Sequence, residues 1–222
     1  MITEAVKGAE ANRLDQIGQD VDALLSTGRY DLLELCTPPD SRLSAHTEAL
    51  GGQVFRMGLH NGFDLATETG QRRAVIWVQA HKPRRVVMSP PCTADCTLQA
   101  LNQSTEEQRQ NHRVKVLRAR KIQRGCRRVM SAALAVPGTD VDLEQPAGSR
   151  SWTLSKDMQE MRDQMHETLV EGCAYGLRDR LTGQLIKKPW RICTTDYSLT
   201  TKLNKSSVYR HLVSIRAKSE KS

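Results

Sequence analysis

The chain has 222 residues, a formal charge of +8, 38% apolar residues and only 4% aromatics. That length suits one α/β domain with a mostly aliphatic core, and no run of about 18 apolar residues is present to span a membrane. The basic surplus points to a polyanion partner, most simply nucleic acid, against the plainer alternative of a solvated basic surface.

Val6, Leu14, Ile17, Val21 and Leu24 have the spacing of an amphipathic helix over 3–27, with Gly28 as its stop. "YDLLEL" (30–35) reads as a strand, followed by a helix over 42–50 capped by Asp40 or Ser41. "QVFRMG" (53–58) is a second strand, a helix covers 68–81, and "RVVM" (85–88) is a third strand. Beyond it, Ser104 to Glu107 predicts a capping box that opens a long helix ending at Pro137-Gly138. "DVDLEQP" (140–146) is the next strand, a helix is expected over 154–172, and 173–195 reads as a hairpin turning near Thr182-Gly183. The pattern predicts an N-terminal helix (1–28), an α/β domain (29–197) with a mostly parallel sheet covered on both faces and finished by an antiparallel hairpin, and a basic tail (198–222). Six cysteines lack the spacing of a small disulfide scaffold, and the N-terminus carries acids in place of an apolar signal segment. Both predict an intracellular protein, cytoplasmic or nuclear and not secreted.

In such sheets, ligands bind at the carboxyl ends of the strands. There the chain places "SPPC" (89–92): a thiol on a corner stiffened by two prolines, at the end of a buried strand. A cysteine so placed can act as a nucleophile if its thiolate is accessible. Addition to C6 of a cytosine ring would need a carboxyl group at N3 and the exocyclic amine, and Glu144 ends the next strand, in "LEQP".

"SPPC" resembles the proline-cysteine nucleophile motif of the DNA cytosine-C5 methyltransferases, and "LEQP" (143–146) resembles their glutamate-asparagine motif with Gln145 in the asparagine position. "DLLEL" (31–35) is similar to their cofactor-binding first strand, "GFDL" (62–65) to a later acidic loop, and "KKPWRICTT" (187–195) to the final strand of short phage- or retroelement-type relatives. The resemblance covers residues 30–195 and implies a Rossmann-like methyltransferase fold. It implies Cys92 and Glu144 as catalytic residues, and S-adenosylmethionine held by Glu34, Leu35, Asp40, Asp64 and Pro90. DNA is the implied partner, with Ser89 and Arg191 at the flipped base. Independently of it, the arginines of the long helix, Arg120, Arg124 and Arg128 among them, offer a phosphate-tracking face. No metal is expected.

The loop after the first strand reads Cys36-Thr37-Pro38-Pro39-Asp40 where the family has glycines, and no acid closes the second strand at Gly58. These departures carry the alternative of a non-catalytic relative that only binds nucleic acid. A third chemistry, a zinc nucleobase deaminase using His46, Glu48, Cys92 and Cys96, is disfavoured by a cysteine spacing one residue too long and by the distance in sequence between its half-motifs.

Overall fold

The computed structural model describes residues 28–97, 99 and 103–204. The helix expected over 3–27 lies outside them, as does most of the basic tail. Strands β1 (Leu32–Leu35), β2 (Val54–Met57), β3 (Arg85–Met88) and β4 (Asp140–Pro146) run parallel. Strands β5 (His166–Glu171) and β6 (Pro189–Thr194) form an antiparallel pair attached to β4 through β6. The sheet order is β2-β1-β3-β4-β6-β5. This is the mostly parallel Rossmann-like fold with a C-terminal hairpin that the sequence predicts. The strand order reverses between β1 and β3, which opens a crevice beyond their carboxyl ends.

The helices are α1 (Arg42–Ala49), α2 (Glu68–His81), α3 (Glu106–Leu134), α4 (Ser151–Leu154) and α5 (Lys156–Arg162), and residues 197–204 are also helical. Two sequence expectations shift. The box opening α3 is built one residue later, with the Gln108 amide donating to Thr105 Oγ1 at 3.2 Å and the Gln108 side chain accepting from the Thr105 amide at 3.1 Å. The helix expected over 154–172 stops at Arg162, because 166–170 alternates, burying Thr168 and Val170 and exposing His166, Glu167 and Leu169. Residues 166–171 are thus the hairpin's first arm. The segment around Gly183 is a loop closed by a single bridge between Arg178 and Leu185.

The two faces of the sheet differ. Leu33, Leu35, Val86, Met88, Val141, Leu143 and Cys193 are fully buried on one face, packed with Trp77 and Val78 of α2 and with Cys126, Val129 and Met130 of α3. Each such large aliphatic side chain stabilises the fold by about 1.5–3 kcal/mol. The opposite face carries Leu32, Glu34, Arg85, Val87, Asp140, Asp142, Glu144 and Ile192, and borders a cavity of about 890 Å³ flanked by α1 and by helical residues Leu199 and Leu203. Arg85 is the hub of that face, pairing with Asp140 at 3.2 Å, Asp142 at 3.0 Å and Asp196 at 2.8 Å. Asp142 is buried and its carboxyl is nonetheless pushed above the usual range, since burial outweighs its pairing with Thr194 and Arg85.

Candidate functional site

β3 runs into Ser89, whose amide extends the ladder to the Leu35 carbonyl at 3.2 Å. Pro90 is buried, and its carbonyl accepts a 2.7 Å hydrogen bond from the Gln145 side chain. Gln145 is itself fully buried and accepts from the Ser151 hydroxyl, so the end of β4 braces the proline corner. Cys92 follows, half-buried, at the start of a single helical turn over Thr93–Asp95. That turn is anchored to α3, because buried Asp95 receives two hydrogen bonds from Arg120 at 2.6 and 2.7 Å. The thiol is therefore fixed at both ends.

Glu144 lies toward the carboxyl end of β4 beside this corner, opposite Ile192 of β6. Burial pushes its carboxyl above the ordinary glutamate range, while a hydrogen bond from Ser89 and the charge of Lys188 pull the other way. The Cys92 thiol is also pushed up, first by burial, then by Glu144 and Cys96, against the lowering influence of its own backbone hydrogen bond and Lys188. The Glu144 charge thus acts on the thiol, and Lys188 is a cation that both groups feel. Lys188 was not singled out by the sequence reading, although it stands directly before the "PWRIC" strand.

On the other flank of the corner lies a cavity of about 330 Å³ at the reversal point of the sheet. It is lined by Cys36, Thr37 and Pro38 after β1, by Met57 to His60 after β2, by Phe63, Asp64 and Leu65, and by Pro91 and Ile122. Its size is in the range of small-molecule sites. The Asp64 loop is wedged between two helices: a Cβ at Gly70 would collide with the Asp64 carbonyl, and one at Gly125 would come within 2.9 Å of the Leu65 carbonyl. Both contacts need glycine.

The sequence-predicted residues divide. Cys92, Glu144 and Ser89 come together, and Asp64 lines the cavity, but with its carboxylate held by Arg118 at 3.1 Å to both oxygens. Glu34 points to the opposite face of the sheet, where it is buried and accepts from the hydroxyls of Ser41, at 2.9 Å, and Ser44. It fixes the entry to α1 and does not line the cavity. Leu35 is a core residue, and Asp40 is exposed on the turn before α1. Arg191 sits across from Gln145, away from Glu144, paired with Glu167 at 3.1 Å and stacked over Trp152. Arg120 is bound to Asp95, Arg128 is paired with Glu68 at 2.7 Å, and Arg124 is 3.9 Å from Asp157. Among the described residues no group of three or more His, Cys, Asp or Glu side chains converges as metal ligands would. His46, Cys92 and Cys96 thus form no zinc triad.

No family model matches the chain, and no curated protein does. Among solved structures, the crystal structure of the S. pombe Dnmt2 methyltransferase is similar, with a TM-score of 0.36 and 14% identity over 75% of this chain and 49% of that one. The chain spans about half the length of that structure. Among the described residues no helix is long and apolar enough to cross a membrane.

Proposed function

We propose that this protein transfers a methyl group from S-adenosylmethionine to C5 of a cytosine in nucleic acid, most simply DNA, through a covalent adduct at Cys92. The observation that carries the reading is the meeting of three parts at one edge of the sheet: a braced cysteine, a carboxyl group held above its ordinary range beside it, and a 330 Å³ cavity whose wall includes the proline next to that cysteine. The cavity fits such a cofactor in size and in its apolar walls, Met57, Leu59, Phe63 and Ile122, with Thr37, His60 and Asp64 as polar lining. When bound, S-adenosylmethionine supplies an electrophilic methyl group.

This chain's own residues do the rest. A cytosine must leave the stack to reach the corner. Glu144, whose carboxyl burial holds above the ordinary glutamate range, would in its protonated form donate a hydrogen bond at N3 and accept one from the exocyclic amine. The Cys92 thiol, its proton passed to solvent, would bond to C6 and move the ring's electron pair to C5, which could then take a methyl group as the cofactor's S–CH3 bond breaks and its sulfur leaves as a neutral thioether. Water taking the C5 proton would return those electrons to the C5–C6 double bond and break the C6–S bond, restoring the thiolate. Because burial disfavours the free thiolate, the cysteine is less reactive at a given pH than an open thiol.

The test is an oligonucleotide carrying 5-fluorocytosine, incubated with S-adenosylmethionine. Fluorine cannot depart as a proton does, so a denaturation-resistant adduct should accumulate with the native chain, vanish in Cys92→Ala, persist in Cys96→Ala and form slowly in Glu144→Gln. Absence of any adduct, in a preparation shown to bind both cofactor and oligonucleotide, would remove Cys92 from the mechanism. A second reading, nucleic-acid binding without methyl transfer, is favoured by the commitment of Asp64 to Arg118. It predicts no melting shift with S-adenosylmethionine, whereas the first predicts one that grows with occupancy.

A further inference from the structure

Helix α3 is the most basic element of the chain, yet its arginines are largely spent within the fold. Arg109, Arg118, Arg120, Arg127 and Arg128 each pair with a carboxylate at 3.3 Å or less, and Arg124 lies within 4 Å of one. Such pairs carry little net charge, and breaking those at buried Asp95 would strand a carboxylate. Cations without a carboxylate in salt-bridge reach among the described residues remain both on α3 and outside it, and three of them stand on the elements that flank the candidate site.

The first is Lys115. None of the first thirteen residues of α3 is buried, so its N-terminal half overhangs the carboxyl edge of the sheet. Lys115 continues the stripe of Ala119, Ile122 and Cys126, spaced by four, three and four, which farther along the helix packs inward. Its neighbours His112 and Val116 line a small cavity of about 130 Å³ with Asp95 and Cys96, and Ile122 lines the 330 Å³ one, so Lys115 sits between the two. The second is Arg150, exposed on the loop after β4. It lines the smaller cavity, and its amide donates to the Asp95 carbonyl at 3.0 Å. The third is Lys188, directly before β6. Strand alternation puts it on the same face as Trp190, Ile192 and Glu144, with its ammonium 5.1 Å from the Trp190 ring centre. Lys115 and Lys188 thus approach from opposite faces of the sheet.

We propose that Lys115, Arg150 and Lys188 are the phosphate contacts that seat a nucleic-acid backbone over the Cys92–Glu144 mouth, and that the arginine-rich outer face of α3 takes no part. This rests on the nucleic-acid half of the proposed function and relocates its binding surface. Three cations placed around one point, in preference to a line along a helix, suit a backbone bent about an extruded nucleotide. The chain's net charge of +8 supplies the long-range attraction and these three the contacts.

The test is fluorescence anisotropy with the full chain and labelled 20-nucleotide probes (duplex DNA, single-stranded DNA and RNA of one sequence) over a salt series. Each lost phosphate contact should reduce the slope of log affinity against log salt by about 0.9 on duplex DNA or about 0.7 on a single strand. Lys115→Ala, Arg150→Ala and Lys188→Ala together should therefore flatten it by about 2 to 3. Each single replacement, at an exposed position, should show its own share should the triple variant fold poorly. Arg124→Ala with Arg128→Ala should leave the slope unchanged. A native slope in the single and triple variants, or a slope that falls only in the Arg124/Arg128 pair, overturns the assignment. If the native chain binds none of the three probes, the nucleic-acid reading falls and this surface falls with it.

Discussion

The exits of β1 and β3 stand side by side, with Leu35 paired to Met88, and each contains two consecutive prolines: Pro38-Pro39 after β1 and Pro90-Pro91 after β3. At the β3 exit the first proline is buried, its carbonyl is taken by Gln145, and the following turn is anchored by the Asp95–Arg120 pair. At the β1 exit the chain turns at Cys36 with φ of +63°, Pro39 and Asp40 are exposed, and the turn hands over to α1 through the Ser41 cap. Proline supplies stiffness at both places. What differs is the partner across the sheet: the buried polar brace stands under the β3 exit. The β1 exit forms a wall; the β3 exit forms a mount.

Removing the brace should have the largest effect. Gln145→Leu fits the space but leaves the buried Pro90 carbonyl without its partner, while the Ser151 hydroxyl keeps its 2.8 Å hydrogen bond with Ser149. An unsatisfied buried group costs about 1–3 kcal/mol, so the variant should lose about that much in urea unfolding. It should also lose Cys92 adduct formation by more than its folded fraction explains. A stability change below about 1 kcal/mol would show that the corner holds itself and that the prolines alone suffice.

The contrast was only partly legible in the sequence. Hydrophobic runs placed the four parallel strands to within two residues, because each is a short apolar segment bounded by turn residues. The sequence places Cys92 after one strand and Glu144 late in the next, and the structure has both there. Glu34 was misplaced in space because adjacent residues of a strand face opposite sides, and only the register decides which. Spacing could not foresee that helix α3 would neutralise its own arginines, since their partners Asp64, Asp95 and Asp157 lie up to 54 residues away in the chain. Lys188 was missed for a similar reason: its nearness to Glu144 exists only once β6 is laid antiparallel to β4.

A pH profile of Cys92 alkylation by iodoacetamide sharpens the same comparison. The thiolate is the reactive form, and Cys92 is held above the ordinary thiol range by burial and then by Glu144. Its alkylation should therefore rise with pH through a midpoint higher than that of a free thiol. Glu144→Gln removes a raising charge, so the midpoint should move down and the rate at a fixed pH below it should increase. Lys188→Gln removes a lowering charge and should do the reverse. Because burial is the largest influence, the Glu144→Gln midpoint should still lie above the free-thiol value. Unmoved midpoints in both variants would mean that neither charge faces the thiol. Peptide mapping after alkylation isolates Cys92 from the other five cysteines.

The smallest effect belongs to the other exit and concerns Cys36. A left-handed backbone costs a non-glycine residue about 1–2 kcal/mol, and glycine would remove that strain while adding about 0.5–1 kcal/mol of unfolded-state entropy to be lost on folding. Glycine would also give up the thiol's contact with Cys126, where the sulfurs are 3.9 Å apart, and its share of the cavity wall. These contributions nearly cancel, so Cys36→Gly should shift stability by less than about 1 kcal/mol in either direction. Cys36→Val fills similar space, but its branched Cβ resists a positive φ, so it should lose about 1–2 kcal/mol. If the two variants prove equally stable, the turn is not strained, and the β1 exit is held by its contacts with Cys126 and the cavity wall. If valine alone is costly, the backbone sets the shape of that wall, and S-adenosylmethionine affinity should fall in Cys36→Val while surviving in Cys36→Gly.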